Sequence, residues 1–211
     1  FSSNFRSDFE MKINTNIIFI RHGVTDLNAQ NIYFGHLDPP LNKHGIEQIN
    51  NIKKILLNEK VDLFYSSDLK RCVESAEIIN EVYKLNIVKD KKFRELNFGI
   101  FEGKSYKEIT EEFPLESKMF FKNWKEYKIP NGESLEEHLT RSINKIEEIK
   151  NENMGKNIII TAHSGTIRSI ITHYLYNSLD GYWKFKFDNG SATKLCFTED
   201  NFVYLEYLNR I

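Results

Sequence analysis

The sequence has few cysteines and no excess of charge of either sign, and both shortages exclude classes of protein. Its two cysteines, Cys72 and Cys196, lie far apart without CxxC spacing, so we expect neither a disulfide framework nor a thiolate metal site. The 29 Lys and Arg residues balance 30 Asp and Glu residues, which gives no reason to expect nucleic acid or an anionic membrane as a partner. Reduced thiols of this kind fit a cytoplasmic protein best.

Long apolar runs are also missing from the sequence. No run approaches the roughly 20 residues that a transmembrane helix needs. Residues 1–10 are polar and carry both charge signs, which is unlike a secretory signal, and Met11 directly precedes the first patterned segment. We therefore interpret residues 1–10 as a cloning remnant or a disordered extension. Residues 11–211 are predicted to form one globular domain.

Strand and helix patterns alternate along this chain, which favours an α/β fold. Continuous apolar runs or period-two patterns predict strands at residues 16–20, 61–67, 86–88 and 157–162. Apolar residues at helical spacing predict helices at residues 43–58, 68–85, 105–112, 133–152 and 166–176. The alternation predicts a three-layer α/β/α domain with a mostly parallel central sheet. The tail from Trp183 onward alternates at period two, so we expect it to form an antiparallel edge.

Local signals refine two of these helices and characterise one further segment. Asn42 is placed to cap the helix at 43–58, and Ser67 to cap the helix at 68–85. The inner faces of these two helices are predicted to include Ile46 and Val82 respectively. Residues 113–132 are rich in aromatic side chains but show no clear period. We interpret them as a cover over a pocket rather than a separate domain.

Two of the predicted strands end at a histidine. His22 follows the strand at 16–20, and His163 follows the strand at 157–162. Ligands of open α/β sheets bind beyond the carboxyl ends of the strands, so the two histidines are expected to meet there. Arg21 lies beside them, and Arg71 would join them if the strand at 61–67 lies next to the first strand. Two guanidinium groups and two imidazoles would form an anion site.

Backbone donors add to this predicted site. The helix starts after Ser67 and near Ser164 and Gly165 would present N–H groups to an anion. Because Arg binds phosphate through paired hydrogen bonds, the ligand that fits this set of groups is a phosphoryl group.

Four motifs carry a family resemblance. In order and rough spacing, "RHGVTDLN", "SSDLKRCVESAE", "RELNFGIFEG" and "TAHSG" resemble the motifs of the histidine phosphatase superfamily, which contains the cofactor-dependent phosphoglycerate mutases and many phosphatases. The resemblance extends over residues 16–198. It implies a phosphoglycerate mutase-like fold and a metal-independent enzyme that acts on a small-molecule phosphomonoester through a phosphohistidine. No cofactor is implied.

The resemblance also implies roles for individual residues. Carried over position by position, it gives the nucleophile as His22, the proton donor and acceptor as Glu95, and the phosphoryl-binding groups as Arg21, Arg71, His163 and Asn28. Further candidate phosphate or substrate contacts are Gly35, Ser164 and Gly165. Glu102 is a rival carboxylate for proton transfer, although the family also carries a Glu at this position without that role.

The remaining histidines and common site motifs offer less. We expect a solvated loop position for His36, and surface or packing positions for His44, His138 and His173. The chain has no HExxH, no carboxylate–histidine cluster and no GxxxxGK[ST], so neither a metal site nor a P-loop is predicted. Cys72 precedes no phosphate-cradling loop and is expected to pack within its helix.

The branch of the family is indicated by a further resemblance. "IPNGES", "HSGTIRSIITHYL" and "YWKFKFDNGSATKLCF" resemble α-ribazole phosphatases, which dephosphorylate a nucleotide-like precursor of the lower cobalamin ligand. An aromatic wall for a flat benzimidazole could be formed by Phe98, Phe120, Trp124 and Trp183, with core packing as the alternative for each.

Three other functions stay open at this point. A broad-specificity phosphatase shares parts of the same segments. A mutase is disfavoured because the segment between the acid/base motif and His163 is short. A non-catalytic phospho-ligand binding module would require a missing nucleophile or acid, and both are present.

Overall fold

Strands and helices alternate through most of the chain, close to the predicted ranges. The computed structural model describes residues 14–211, so the interpretation of residues 1–10 lies outside the described residues. The strands are β1 (Thr15–Arg21), β2 (Ile32–Tyr33), β3 (Leu63–Ser66), β4 (Ile87–Lys89), β5 (Lys104–Ser105), β6 (Asn157–Ala162), β7 (Ser191–Phe197) and β8 (Val203–Arg210). The helices are α1 (Asp26–Ala29), α2 (Lys43–Ile55), α3 (Lys70–Tyr83), α4 (Tyr106–Glu112), α5 (Pro114–Lys122), α6 (Leu135–Glu152) and α7 (Ser164–Tyr176).

Six strands form the central sheet in the order β4-β3-β6-β1-β7-β8. The first four strands of this order are parallel, whereas β7 and β8 run antiparallel to their neighbours. This arrangement confirms the predicted mostly parallel sheet with an antiparallel edge. The assumption that the second strand lies beside the first is wrong, because β6 lies between β3 and β1.

Both faces of the sheet are covered by helices, which confirms the three predicted layers. On β1, Ile17 and Phe19 pack into the core that contains side chains of α6 and α7. Ile18 and Ile20 point to the other face and pack into the core formed with α2 and α3. This is why the strand shows a continuous apolar run rather than an alternation. Each fully buried Ile stabilises the fold by about 1.5–3 kcal/mol.

The predicted caps differ in outcome. The side chain of Asn42 accepts a hydrogen bond from the Gly45 N–H and caps α2, as predicted. Ser67 does not cap α3, because that helix begins later, at Lys70. The Lys70 N–H donates instead to Asp38 Oδ1 at 2.6 Å. The Ser67 hydroxyl lies 2.9 Å from a ring nitrogen of His163 and accepts only a long hydrogen bond, 3.4 Å, from the Leu69 N–H that precedes the helix.

Two predicted inner-face residues are exposed. Ile46 is 44% exposed. The face of α2 that packs against the rest of the protein includes the preceding residue, Gly45, which lies against the Val24 backbone. Val82 is 40% exposed. The next residue, Tyr83, packs against the core on that side, and its hydroxyl donates to the Leu56 carbonyl at 2.5 Å.

Residues 113–132 contain a helix that periodicity did not reveal. Helix α5 begins with Pro114, and its apolar Leu115 and Met119 are exposed while Ser117 is buried, so the sequence shows no apolar stripe. The antiparallel edge begins only at Ser191, because residues 179–184 form a 3-10 turn. Across residues 14–211, every helix is too short or too polar to cross a membrane.

Candidate active site

The ends of β1 and β6 bring His22 and His163 together. The strands pair in register with Arg21 opposite Ala162, so the next residue of each chain segment leaves the sheet at the same edge. The His22 N–H donates to the Ala162 carbonyl at 3.1 Å, and the two imidazole rings meet edge to face with their centroids 5.1 Å apart. Both side chains are buried. The meeting of the two histidines, which their positions after the strands predict, is therefore observed.

The His22 imidazole is held in one tautomer. Its Nδ1 lies 2.7 Å from the Gly23 carbonyl oxygen, which can only accept, so Nδ1 carries the proton. Burial, together with the positive charges of Arg71 and Arg21, holds the pKa of His22 well below its usual value. The ring is therefore neutral, and Nε2 keeps a free lone pair. A neutral imidazole with a free lone pair is a nucleophile.

His163 is neutral as well, in the opposite tautomer. Its Nδ1 accepts a hydrogen bond from Arg71 Nε at 3.2 Å, so the ring proton resides on Nε2, which donates to Ser67 Oγ at 2.9 Å. Burial is the main cause that holds its pKa well below the usual value. Cys72 packs against this ring with its Sγ 3.3 Å from Nε2, and burial raises the pKa of the thiol. Cys72 is thus an inert packing residue, as predicted.

Arg71 reaches the site from the first turn of α3, although β3 does not adjoin β1. Its side chain is fully buried, and its guanidinium lies 4.8 Å from the centre of the Phe34 ring. The terminal nitrogens donate to the carbonyls of Gly35 at 2.7 Å and Leu37 at 2.8 Å. Arg71 therefore links His163 to the loop that follows β2.

Glu102 holds the same loop from the other side. Its carboxylate accepts hydrogen bonds from the backbone N–H groups of Gly35, His36, Leu37 and Phe98, at 2.9–3.1 Å. A Cβ at Gly35 would lie 1.7 Å from the Leu96 carbonyl oxygen, so only glycine fits there. The N–H of Gly35, a candidate ligand contact, is thus occupied by Glu102.

Glu95 sits on the N-terminus of α7. Its Oε2 accepts from the Gly165 N–H at 2.8 Å, and its Oε1 accepts from the Leu96 N–H at 3.0 Å. A Cβ at Gly165 would lie 2.3 Å from Glu95 Oε1, so the missing side chain makes room for the carboxylate. The Glu95 side chain is 12% exposed. The Gly165 N–H, also a candidate ligand donor, is therefore donated to Glu95, while Ser164 lines the adjacent cavity.

Arg21 and Asn28 line a polar cavity of about 490 Å³ together with Asn189 and Glu95. Arg21 donates to the Phe187 carbonyl at 2.6 Å, and burial is the main cause that lowers the pKa of this guanidinium to about 10, so it stays charged at neutral pH. Its Nε is buried without a hydrogen-bond partner among the described residues. The side-chain oxygen of Asn28 accepts from Thr25, which leaves the Asn28 NH₂ group as a donor.

An apolar cavity of about 330 Å³ adjoins the polar one. The two share three lining residues, Tyr33, Glu95 and Phe98. All four aromatic residues proposed as a wall line the apolar cavity, and the other aromatic lining residues are Tyr33, Phe121 and Tyr182. Glu95 therefore lies where a cationic, polar cavity meets an aromatic one.

Sequence reasoning missed several residues of this cleft. Arg168, Tyr182 and Asn189 all line it. Arg168 could have been found, because it follows Ser164 by four positions and so shares its face of the helix. Asn189 and Tyr182 come from the irregular segment between α7 and β7, where no period signals which side chains face inward.

The remaining histidines divide between surface and interior. His138 is fully buried, with Nε2 at 3.1 Å from Thr166 Oγ1 and at 3.8 Å from Glu95 Oε1. His36 is half-buried, and its Nε2 has no hydrogen-bond partner within residues 14–211. The same part of the chain contains no group of three or more His, Cys, Asp or Glu side chains placed to hold a metal ion.

Comparisons with known proteins agree on one family. A family model described as the histidine phosphatase superfamily (branch 1) matches residues 17–210. Phosphoserine phosphatase 1 of Hydrogenobacter thermophilus is 27% identical over 190 residues, which cover 90% of each chain. The adenosylcobalamin/alpha-ribazole phosphatase of Escherichia coli is 25% identical over 190 residues, covering 90% of this chain and 93% of that protein. The crystal structure of the alpha-ribazole phosphatase from Shigella flexneri superposes with a TM-score of 0.86 at 26% identity, covering 92% of this chain and 96% of the other.

The three buried histidines predict how stability depends on pH. Burial is the main cause that holds the pKa of His22, His138 and His163 well below the usual value, whereas in the unfolded chain they bind protons near pH 6.5. Below that pH the unfolded state binds more protons, so stability that is complete above pH 6.5 is lost as pH falls. We expect the free energy of unfolding to decrease by up to about 1.4 kcal/mol per pH unit for each histidine.

Urea unfolding in phosphate-free buffers between pH 7.5 and 5 measures this slope. His138→Gln should reduce the slope by the contribution of one histidine, up to about 1.4 kcal/mol per pH unit. A stability that does not fall over this range, or an unchanged slope in His138→Gln, would contradict the assignment of neutral buried imidazoles.

Proposed function

The chain belongs to branch 1 of the histidine phosphatase superfamily and is a phosphatase, and from this premise we propose that it hydrolyses phosphomonoesters through a phosphohistidine on His22, without a metal ion. The observation that carries the proposal is the state of the His22 ring. It is buried and neutral, with its proton fixed on Nδ1 by Gly23 and positive charge from Arg21 and Arg71 nearby. This leaves Nε2 as a nucleophile at a site that attracts anions.

The cationic groups would hold the transferred phosphoryl group. Charge in phosphoryl transfer spreads over the equatorial oxygens, so fixed donors around them stabilise the transition state. Arg21 has a buried Nε without a protein partner, and each terminal nitrogen of Arg71 carries a second hydrogen beyond the one given to the loop. The NH₂ group of Asn28 would add a further donor. The His163 ring would join this proposed set by turning its Nε2–H from Ser67 to a phosphoryl oxygen.

Two displacements at phosphorus make up the proposed reaction. In the first, His22 Nε2 bonds to phosphorus while the bond to the leaving oxygen breaks, and Glu95 gives that oxygen a proton. In the second, water attacks phosphorus, Glu95 takes the proton from the water, and the phosphorus–Nε2 bond breaks to release inorganic phosphate. Glu95 suits this role because it lies between the two cavities, one for the phosphoryl group and one for the leaving group.

Glu102 is the less suitable carboxylate. Its oxygens accept from the backbone N–H groups of four residues of the surrounding loops, and unlike Glu95 it lines neither cavity. We propose a structural role for Glu102 and the acid/base role for Glu95.

The nucleophile is tested by substitution and by trapping. His22→Ala should lower turnover by on the order of 10⁴-fold or more, because no other group takes over the covalent step. Brief exposure of the unsubstituted enzyme to labelled phosphomonoester, followed by denaturation, should give a label that is stable in base and labile in acid. His44→Ala, at an exposed histidine, is the matched control and should keep full turnover. Label on Ser or Asp, or substantial turnover by His22→Ala, would overturn the assignment.

The proton donor is tested by varying the leaving group. Glu95→Gln should slow esters of aliphatic alcohols by about 10²–10⁴-fold, because an amide cannot protonate an alkoxide. Measured as kcat/KM, which reports the first displacement alone, the loss on 4-nitrophenyl phosphate should be much smaller, since nitrophenolate leaves without a proton. Glu102→Gln is the matched variant and should affect both substrates alike, through the loop that it holds. Equal losses in kcat/KM on both substrates in Glu95→Gln would move the proton-donor role away from Glu95.

Within the phosphatase class, we propose α-ribazole 5'-phosphate as the preferred substrate. The support is the aromatic cavity beside Glu95, where Phe98, Trp124 and Trp183 present rings to a flat base. The likeness to an alpha-ribazole phosphatase adds to this support. The alternatives are a phosphatase of broad specificity and, less favoured because residues 103–157 form only a short insertion, a phosphoglycerate mutase.

A substrate panel tests this preference. α-Ribazole phosphate should be hydrolysed with a kcat/KM about 10- to 100-fold above that of simple sugar phosphates, because stacking of a base on an aromatic side chain contributes about 1–3 kcal/mol. Trp124→Ala should reduce this preference without changing kcat/KM for a small phosphomonoester. Equal rates across the panel would leave only the general phosphatase. Net transfer of phosphate between positions of phosphoglycerate would favour the mutase.

A further inference from the structure

Arg168 carries a positive charge into the aromatic cavity. It lies on α7, and its guanidinium carbon is 5.0 Å from the centre of the Tyr182 ring and 5.2 Å from that of Trp183. The side chain lines the aromatic cavity beside Glu95, Ser164 and Gly165, but not the polar cavity that contains Arg21. Arg168 is therefore placed beside the leaving group rather than the phosphoryl group.

The Arg168 cation is only partly satisfied within the protein. Among the described residues, Arg168 forms no ion pair with a carboxylate. Its Nε is buried and has no hydrogen-bond partner among residues 14–211. The positive charge also acts on Arg21, so a second cation reinforces the first across this cleft.

Packing against the two aromatic rings explains the position of the Arg168 guanidinium but not its unpartnered N–H. The two aromatic rings can stabilise the charge through cation–π interactions, which use the face of a guanidinium. They leave the Nε hydrogen, which lies in the plane of the group, without an acceptor among residues 14–211, and a buried donor that lacks an acceptor is costly. The Tyr182 hydroxyl accepts from one of the five N–H donors of the guanidinium. An acceptor on a ligand in the cavity would add a partner for this group.

We propose that Arg168 is a specificity residue that binds a hydrogen-bond acceptor on the leaving group of the substrate. The inference rests on the proposed phosphatase function and extends it. The substrates would be phosphomonoesters whose alcohol part carries a hydrogen-bond acceptor that reaches Arg168 in the aromatic cavity. A carboxylate would pair with the charge and with two N–H groups at once. A nitrogen of a flat heteroaromatic ring would accept one N–H while the ring stacks on the aromatic wall.

The test compares substrates that differ in this acceptor. O-Phosphoserine and 3-phosphoglycerate supply a carboxylate, α-ribazole phosphate supplies a ring nitrogen, and 2-naphthyl phosphate supplies a flat ring without an acceptor. Arg168→Met should lower kcat/KM by about tenfold to hundredfold for the substrates whose acceptor is recognised, the usual effect of a hydrogen bond to a charged group. For 2-naphthyl phosphate the change should stay within about twofold, and the pattern of losses identifies which acceptor binds.

Two further variants separate recognition from packing. Lys184→Met is the matched control, since Lys184 is also a cation over an aromatic ring, 4.8 Å from the centre of Tyr176, but lines neither cavity. It should leave kcat/KM unchanged for every substrate of the panel. Arg168→Lys keeps the charge without the planar pair of donors, so it should recover part of the loss on a carboxylate substrate and little of the loss on a ring nitrogen.

A binding measurement keeps the inference independent of turnover. Calorimetric titration of the same phosphomonoesters into His22→Ala, with and without Arg168→Met, should show the same selective loss of affinity. If His22 forms no phosphohistidine but the selective loss in affinity persists, the proposed function fails and the role of Arg168 stands. Equal losses on all ligands including 2-naphthyl phosphate, or no loss on any of them, would overturn the inference. Thermal unfolding confirms that each variant is folded.

Discussion

The parallel pairing of β1 with β6 is the constraint on which the rest of the site depends. It sets Arg21 opposite Ala162, so His22 and His163 leave the sheet side by side although 140 positions separate them. The register cannot slip, because a shift by one residue would exchange the side chains of the two cores on either face of β1. The hydrophobic cores therefore determine the distance between the two imidazoles, and the local loops only orient them.

Charge is divided between two kinds of side chain in this cleft. The guanidinium groups of Arg21 and Arg71 carry the positive charge. Burial and the charge of Arg71 lower the pKa of both His22 and His163, and Arg21 adds to the effect on His22, so both rings are neutral. The carbonyl of Gly23 and the Arg71 donor fix the two rings in opposite tautomers. This division gives the cleft both an electrostatic attraction for anions and an uncharged nitrogen lone pair, which a protonated imidazole would not provide.

The sequence revealed those parts of the site that depend on strand ends and short motifs. His22 and His163 could be placed because each follows an apolar strand, and the sheet itself could be predicted from the alternation of strands and helices. Ser67 was misplaced because the local preference for a helix cap competes with a long-range contact to His163, which only the folded chain shows. Arg168 and Tyr182 were missed since their roles depend on which irregular segment packs over α7.

The missing side chain at Gly165 has a consequence for reading related sequences. The space that a Cβ would fill there is taken by the Glu95 carboxylate, which comes from a segment 70 positions earlier. Any larger residue would displace that carboxylate from the start of α7. Within this fold, the identity of the second residue after the later histidine thus reports on a carboxylate elsewhere in the chain. A homologue with a side chain at that position would hold the equivalent carboxylate differently, so this one position indicates whether the contact between the carboxylate and the start of the helix is kept.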